Sequence, residues 1–145
     1  MKTKIFNTEF EVSMRLLLLL YSTNTGLDED KILYLDFFTI YAKNYKLGDD
    51  NINGDSKYML NELTAQRRLI KESIKVLVLE GLIDVNNTKE GFIYKINNKG
   101  KSFCESMTSD YSKKYKKQAT ITREWFLNKT IKEIKDYSKR MEGES

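Results

Sequence analysis

The chain has 145 residues, a formal net charge of +4 and no histidine. Its 40% hydrophobic and 32% charged residues indicate an ordered domain that buries its own core, which excludes a disordered chain and one that needs disulfides to fold. The single cysteine, Cys104, and the lack of a signal peptide in this sequence predict a cytoplasmic protein. The longest apolar run, Leu16 to Tyr21, is shorter than the roughly 20 residues of a membrane helix, so no membrane role is expected.

The positive charge is concentrated at the C-terminal end. Residues 1–100 hold 14 basic and 14 acidic side chains, whereas the remaining residues hold 11 basic and 7 acidic ones. A DNA-binding domain usually needs a local positive surplus because phosphate neutralisation supplies most of its affinity. The distribution therefore favours a protein partner for the body of the chain.

A first helix is predicted from Thr8, the N-cap of a capping box with Glu11, to about Ser22. Its apolar residues, among them Leu16 and Leu20, occupy nearly the whole circumference, so the helix must be covered on almost every side. Either the rest of the chain or a partner protein covers it.

A second helix is predicted from Asp28 to about Tyr45. Its aromatic residues recur at helical spacing, which is typical of core packing, with a docking stripe on the surface as the alternative. The stripe includes Tyr34, Phe38 and Tyr41. Asp36 lies alone among these apolar residues, and burial of its carboxylate would cost several kcal/mol unless it is paired. The candidate partners are Arg15, Arg67 and Arg68.

The Asp/Asn-rich stretch at 49–55 resembles the start of a calcium loop. Leu60 stands where such a loop places its bidentate glutamate, so an exposed turn is the favoured interpretation and no metal site is predicted.

A charged helix over 64–80 is followed by Gly81, a hairpin with its turn at 87–91 and a new helix that begins at 98–100. Ile83, Val85 and Phe92 are expected to face inward. This order of elements predicts a winged helix-turn-helix: a mainly α fold with a small β-hairpin and a C-terminal helical extension. The predicted division is 1–107 for the winged-helix domain and 108–145 for the basic extension.

The third helix carries an apolar core face and, nearly opposite, a second apolar strip of Leu69, Val76 and Leu79. A helix that enters the DNA major groove keeps a broad polar face free, so the second strip favours a helix packed between other elements. The possible nucleic-acid contacts are Arg67, Arg68, Lys71 and Lys75 on this helix and Lys113, Lys114, Lys116 and Lys117 in the extension. A solvated or ion-paired face is the alternative for all of them.

The extension ends in an amphipathic helix preceded by Trp125 and Phe126, with Ile131 on its apolar side. These residues either pack on the same chain or bind a partner. No enzyme activity and no cofactor are predicted, because the sequence has no histidine, no glycine-rich phosphate loop and no imidazole base for Cys104.

Several short motifs together resemble the second type of middle component of bacterial ABC-three-component systems. The motifs are Phe6 to Val12, Arg15 with the leucine run, Leu35-Asp36-Phe37, Arg67-Arg68-Leu69 to Gly81-Leu82-Ile83, Tyr111, Tyr115 and Trp125-Phe126. The resemblance implies a small winged-helix protein encoded between an SMC-like ABC ATPase and an effector, in systems thought to act against phages or plasmids. It brings no catalytic residues. The 49–55 loop and the lysine-rich tail depart from the family pattern.

Two functions follow from these features. The first is a non-catalytic adaptor whose partner interface includes residues of helix one, the second helix and the C-terminal end, namely Leu16, Leu20, Tyr34, Phe38, Tyr41, Trp125, Phe126 and Ile131. The second is a winged-helix transcriptional regulator that binds DNA directly. A homodimer through helix one, and DNA contact only within the assembled complex, are intermediate possibilities.

Overall fold

The computed structural model describes residues 8–56 and 59–143; of residues 59–61 and 143 it describes the backbone alone. Phe6 and Asn7 of the opening motif and the side chain of Leu60 lie outside the described residues. The elements in chain order are α1 (Glu9–Thr23), α2 (Glu29–Ile40), α3 (Met59–Leu79), β1 (Ile83–Thr88), β2 (Gly91–Ile96), α4 (Asn98–Glu105), α5 (Asp110–Phe126) and α6 (Ile131–Gly143). The predicted mainly helical fold with a small β-hairpin is confirmed.

Helix α1 begins where the capping signal predicts, with the Thr8 hydroxyl accepting a hydrogen bond from the Glu11 amide at 3.1 Å. Leu16 to Leu20 are each at most 2% exposed. The helix packs against α3, α5, α2, α4 and β2 of the same chain. The leucine run is thus covered on every side, as predicted, and the chain itself provides the cover.

Helix α2 begins at its predicted cap, since the Asp28 carboxylate accepts from the Lys31 amide at 2.8 Å. The regular helix ends at Ile40, earlier than predicted, and the chain continues in turns that still bury Tyr41 and Tyr45. The helix is buried around its whole circumference, so its aromatic residues form the core, and the core-packing interpretation is confirmed.

The hairpin is tighter than predicted. Its strands pair from Ile83 opposite Ile96 to Thr88 opposite Gly91, so the turn comprises only Lys89 and Glu90. Ile83 and Ile96 are buried, but Val85 and Phe92 are 44% and 55% exposed. The predicted inward alternation therefore holds only at the base, because the outer half of a two-stranded ribbon extends beyond the helices that could cover it.

The residues around the hairpin base explain two of the glycines. Gly81 has a φ of +72°, which suits the left-handed residue after a helix. At Gly100, a Cβ atom would clash with the carbonyl oxygen of Leu82. The Asn97 side chain caps α4 by accepting from the Gly100 amide at 2.9 Å, so α4 starts against the hairpin base.

The C-terminal helices share the core of the preceding elements. Tyr115 and Ala119 of α5 and Ile134 of α6 are fully buried in the same cluster as the leucines of α1. Trp125 and Phe126 place their rings 5.5 Å from that of Phe38. Their packing on the same chain is confirmed. The division into 1–107 and 108–145 stays a prediction.

Candidate partner-docking groove

A charged network lies inside the bundle where α1, α2, α3 and α5 meet. Arg15 and Asp36 are each 1% exposed and form a two-pronged ion pair, with Nε to Oδ1 at 2.8 Å and Nη2 to Oδ2 at 3.0 Å. The Tyr115 hydroxyl donates to Asp36 Oδ1 at 2.6 Å, and Arg15 Nη2 donates to Gln66 Oε1 at 3.2 Å. The predicted ion pair of Asp36 is confirmed, with Arg15 as the partner.

The surroundings raise the pKa values of two members of the network, Tyr115 and Arg15. Burial and the neighbouring Asp36 carboxylate raise the pKa of Tyr115 well above its usual range. Burial alone would lower the pKa of Arg15, but the carboxylate of Asp36 outweighs it and the net pKa is raised. The Arg15 guanidinium and the Tyr115 hydroxyl therefore both keep their protons at neutral pH, which suits a structural connection between four helices.

Cys104 is also buried, and burial raises the pKa of its thiol to about 12. The thiol is therefore protonated at neutral pH and is a poor nucleophile. Within residues 8–56 and 59–143, no group of three or more His, Cys, Asp or Glu side chains is placed to hold a metal ion.

The residues predicted as a partner interface lie mostly in the interior. Leu16, Leu20 and Phe38 are fully buried, while Tyr34 and Tyr41 are 7% and 5% exposed. Trp125, Phe126 and Ile131 are half-buried against the core. Core residues cannot contact a partner while the fold is closed, so any surface interface must use other side chains. Trp125, Phe126 and Ile131, which are half-buried, remain candidates for the edge of such an interface.

The cations of α3 are partly neutralised by neighbouring carboxylates. Arg67 Nη1 lies 2.7 Å from Asp30 Oδ1, and Lys75 Nζ lies 3.8 Å from Glu72 Oε1. Arg68 and Lys71 are exposed. Between residues 62 and 80 the chain has four cations and three carboxylates, so the surface of this helix has little net positive charge.

The lysines of α5 fall into two environments. Lys113, Lys114 and Lys117 are exposed, whereas Lys116 is half-buried with Nζ 5.8 Å from the centre of the Tyr21 ring. Lys114 and Lys117 share a surface depression with Asp49 and Asp50 of the 49–55 loop. Carboxylates therefore lie beside two of the four α5 lysines that were predicted to contact nucleic acid.

An apolar groove opens at the surface between the start of α1, the end of α3 and α4. Its apolar lining consists of Phe10, Met14, Val76, Leu77, Leu82 and Phe103, and its polar lining of Glu9, Ser13 and Glu80. Leu77 and Leu82 are buried, whereas Phe10 and Phe103 are 68% and 42% exposed. Leu79, three residues after Val76 on α3, is 86% exposed. Exposed apolar side chains that lie together around a groove make it a candidate interaction site.

Several polar groups that line the groove form hydrogen bonds within the chain. The Ser13 hydroxyl donates to the Glu9 carbonyl oxygen at 2.7 Å, and the Ser73 hydroxyl donates to the same oxygen at 3.3 Å. At the end of α3, the carbonyl oxygen of Glu80 accepts from Lys99 Nζ at 2.9 Å. Apart from the carboxylates of Glu9 and Glu80, the groove therefore offers mainly apolar surface.

A family model described as ABC-three component (ABC-3C) system Middle Component 2 matches residues 5–145, nearly the whole chain. The chain belongs to this family. The resemblance stated from the motifs is confirmed. Neither a curated protein nor a solved structure matches the chain.

As a middle component, the chain works in a system that has other components. Among the described residues, no helix is long and apolar enough to cross a membrane. The groove is thus an open apolar surface on a protein from a multi-component system.

Sequence analysis of this middle component missed the groove residues Phe10, Met14 and Phe103. One signal was present, because the second apolar strip of α3 includes Val76 and Leu79 and indicated an additional packing partner. Phe10 and Phe103 gave no such signal, since single exposed aromatic residues are common on protein surfaces. Only the tertiary structure brings these residues of α1, α3 and α4 together.

Proposed function

We propose that this middle component is a non-catalytic adaptor that joins an SMC-like ABC ATPase to an effector in a bacterial defence system against phages or plasmids. The observation that carries the proposal is the exposed apolar groove, because a folded chain gains nothing from leaving Phe10 and Phe103 in water. A partner protein that covers them supplies the missing burial.

In this proposal the fold is a winged helix used as a rigid frame. Three helices, a hairpin and a further helix follow one another in the order of that fold. The buried network of Arg15, Asp36, Gln66 and Tyr115 ties four of the helices together and keeps the frame from deforming when a partner binds. The protein acts in the cytoplasm, where its free thiol stays reduced.

The absence of catalysis is part of the same proposal. The sequence has no histidine, the thiol of Cys104 is protonated, and the carboxylate of Asp36 is held by Arg15 and Tyr115. None of these groups is available as a nucleophile or a general base.

The test is co-expression with the ABC ATPase and the effector encoded beside this chain, followed by size-exclusion chromatography with light scattering. The adaptor proposal predicts a stoichiometric complex with the ATPase. A monodisperse monomer that elutes separately from the ATPase would overturn it, and a symmetric dimer through the groove would replace it with self-association.

A DNA-binding regulator is the second candidate, favoured by the exposed Arg68, Lys71, Lys113, Lys114 and Lys117. It predicts a salt-dependent affinity for duplex DNA that is lost when Arg67, Arg68, Lys71 and Lys75 are all replaced by alanine. If only the assembled complex binds DNA and the tail lysines carry that binding, the adaptor proposal stands and DNA contact belongs to the complex.

A further inference from the structure

We infer that the groove formed by α1, α3 and α4 binds a basic amphipathic helix of a partner subunit. The inference rests on the proposed adaptor function and names the kind of segment that the adaptor recognises. Its grounds are the helical walls of the groove, the apolar floor and the acidic rim.

The walls of the groove favour a helix over an extended peptide. A strand that binds by augmentation needs free backbone N–H and C=O groups on its receptor. All three walls are helices, which present no strand edge, and at the end of α3 the carbonyl oxygens of Leu77, Val78 and Glu80 already accept hydrogen bonds from Leu82 N, Gly81 N and Lys99 Nζ. A segment that enters this apolar groove must therefore satisfy its own backbone, as a helix does.

The floor of the groove selects apolar side chains. Leu77 and Leu82 form a buried base, and the rings of Phe10 and Phe103 stand exposed beside it. Such a trough between aromatic walls fits apolar residues that recur at positions i, i+3 or i+4, and i+7 of one helix face.

The rim of the groove selects positive charge. Glu9 and Glu80 both line it, and in the part of the chain that the structure describes neither carboxylate forms an ion pair. Lys99, which lies nearby, directs its Nζ to the backbone oxygen of Glu80. Two unpaired carboxylates beside an apolar trough favour lysine or arginine at the edges of the bound helix and disfavour glutamate or aspartate there.

The first experiment identifies the occupant in the complex of the full chain with its co-expressed ATPase and effector. A photo-reactive p-benzoylphenylalanine replaces Phe10, and in a matched control it replaces Phe92, which is 55% exposed on the hairpin. Mass spectrometry then locates the crosslinked peptide. The inference predicts a crosslink from position 10 to a helical segment with apolar i, i+3 or i+4, i+7 spacing and flanking lysine or arginine, and no crosslink to that segment from position 92.

The second experiment reverses the rim charges with Glu9→Lys and Glu80→Lys together. We expect the affinity for the partner to fall about tenfold or more and to recover when the crosslinked cations are changed to glutamate. The control, Glu90→Lys with Asp136→Lys, makes the same change in net charge at exposed positions away from the groove and should leave the affinity unchanged. If the double variant unfolds, Glu80→Lys alone is tested instead, because it leaves the first turn of α1 unchanged.

The outcomes separate this inference from the adaptor proposal. If the wild-type chain forms no complex, the adaptor proposal fails and this inference fails with it. If the complex forms but position 10 gives no crosslink, or crosslinks to an extended or acidic segment, only the inference is overturned. An affinity unchanged by the rim reversal would also overturn it.

Discussion

Helix α1 contains two regions that invert the usual arrangement of polar and apolar residues. At Arg15 a charged side chain is 1% exposed, and five residues earlier Phe10 is 68% exposed. The buried cation has an ion-pair partner, a second acceptor in Gln66 and a carboxylate further held by Tyr115. The exposed ring lines a groove that the residues described by the structure leave open.

The difference teaches how to separate structure from function in a protein of this kind. A buried charge with complete hydrogen bonding belongs to the fold, because removing one member leaves the other uncompensated. An exposed apolar cluster adds nothing to folding, and binding of a partner explains why apolar surface is left in contact with water. The two regions should therefore respond in opposite ways to substitution.

The largest effect is expected from removing the C-terminal helices. A chain that ends at residue 107 loses Tyr115, Ala119 and Ile134 from the core and leaves Arg15 and Asp36 without the cover of α5. We expect it to lose cooperative unfolding, measured by circular dichroism and urea denaturation, because domains have only about 5–15 kcal/mol of stability to lose.

The control is a chain that ends at Thr130, which keeps α5 and its hydrogen bond to Asp36 and should still unfold cooperatively, at lower denaturant. A cooperative transition in the 1–107 chain would instead establish 1–107 as a separate domain.

The next largest effect is expected at the buried ion pair. Asp36→Ala leaves Arg15 charged and buried, which should lower the free energy of unfolding by about 3–5 kcal/mol. The matched control is Asp30→Ala, which breaks the half-exposed pair with Arg67 and should cost about 0.2–1 kcal/mol. Equal losses in urea denaturation would mean that the interior network has no special structural role.

A smaller effect with a distinctive pH dependence is expected from Tyr115→Phe. Removing the hydroxyl leaves one oxygen of Asp36 short of a donor and should cost about 1–3 kcal/mol at neutral pH. The pKa of Tyr115 is raised in the folded state, so its contribution is complete below the unfolded value of about 10 and is lost as the pH rises through the folded value.

Between about pH 10 and 12 the stability of Tyr115→Phe should therefore decline less steeply than that of the wild type, as followed by urea denaturation at each pH. The pKa of Tyr111 is also raised, to about 12, so the stability of Tyr115→Phe should still decline somewhat as the pH rises. The control, Tyr137→Phe, removes a hydroxyl that donates to the backbone oxygen of Tyr45 at 2.6 Å rather than to a carboxylate. Parallel pH curves for the wild type and Tyr115→Phe would contradict the prediction.

The smallest change in stability is expected in the groove. Phe10→Asp places a carboxylate in the first turn of α1, where the helix dipole favours it, and removes a ring that is mostly in water. We expect the free energy of unfolding to stay within about 0.5 kcal/mol of the wild type, while binding of the partner is lost. A stability loss comparable to that of Asp36→Ala would show that the ring belongs to the fold.

The sequence by itself determined the local structure and much of the interior. Thr8 and Asp28 cap α1 and α2 where the capping signals place them, and Gly81 follows the end of α3, because these signals act over three or four residues. The lone carboxylate of Asp36 in an apolar stretch also required a buried cation, and Arg15 was among the three candidates.

Only the tertiary structure decided which apolar surface stays open. The leucine run of α1 was expected to need a cover, and whether that cover is a partner or the chain's own helices depends on contacts between residues far apart in sequence. The same holds for the hairpin, whose outer residues Val85 and Phe92 lack a covering element, and for the groove, whose walls come from three helices. In the sequence, an apolar side chain that will be buried cannot be told from one that will stay exposed, because burial depends on the positions of all the other elements.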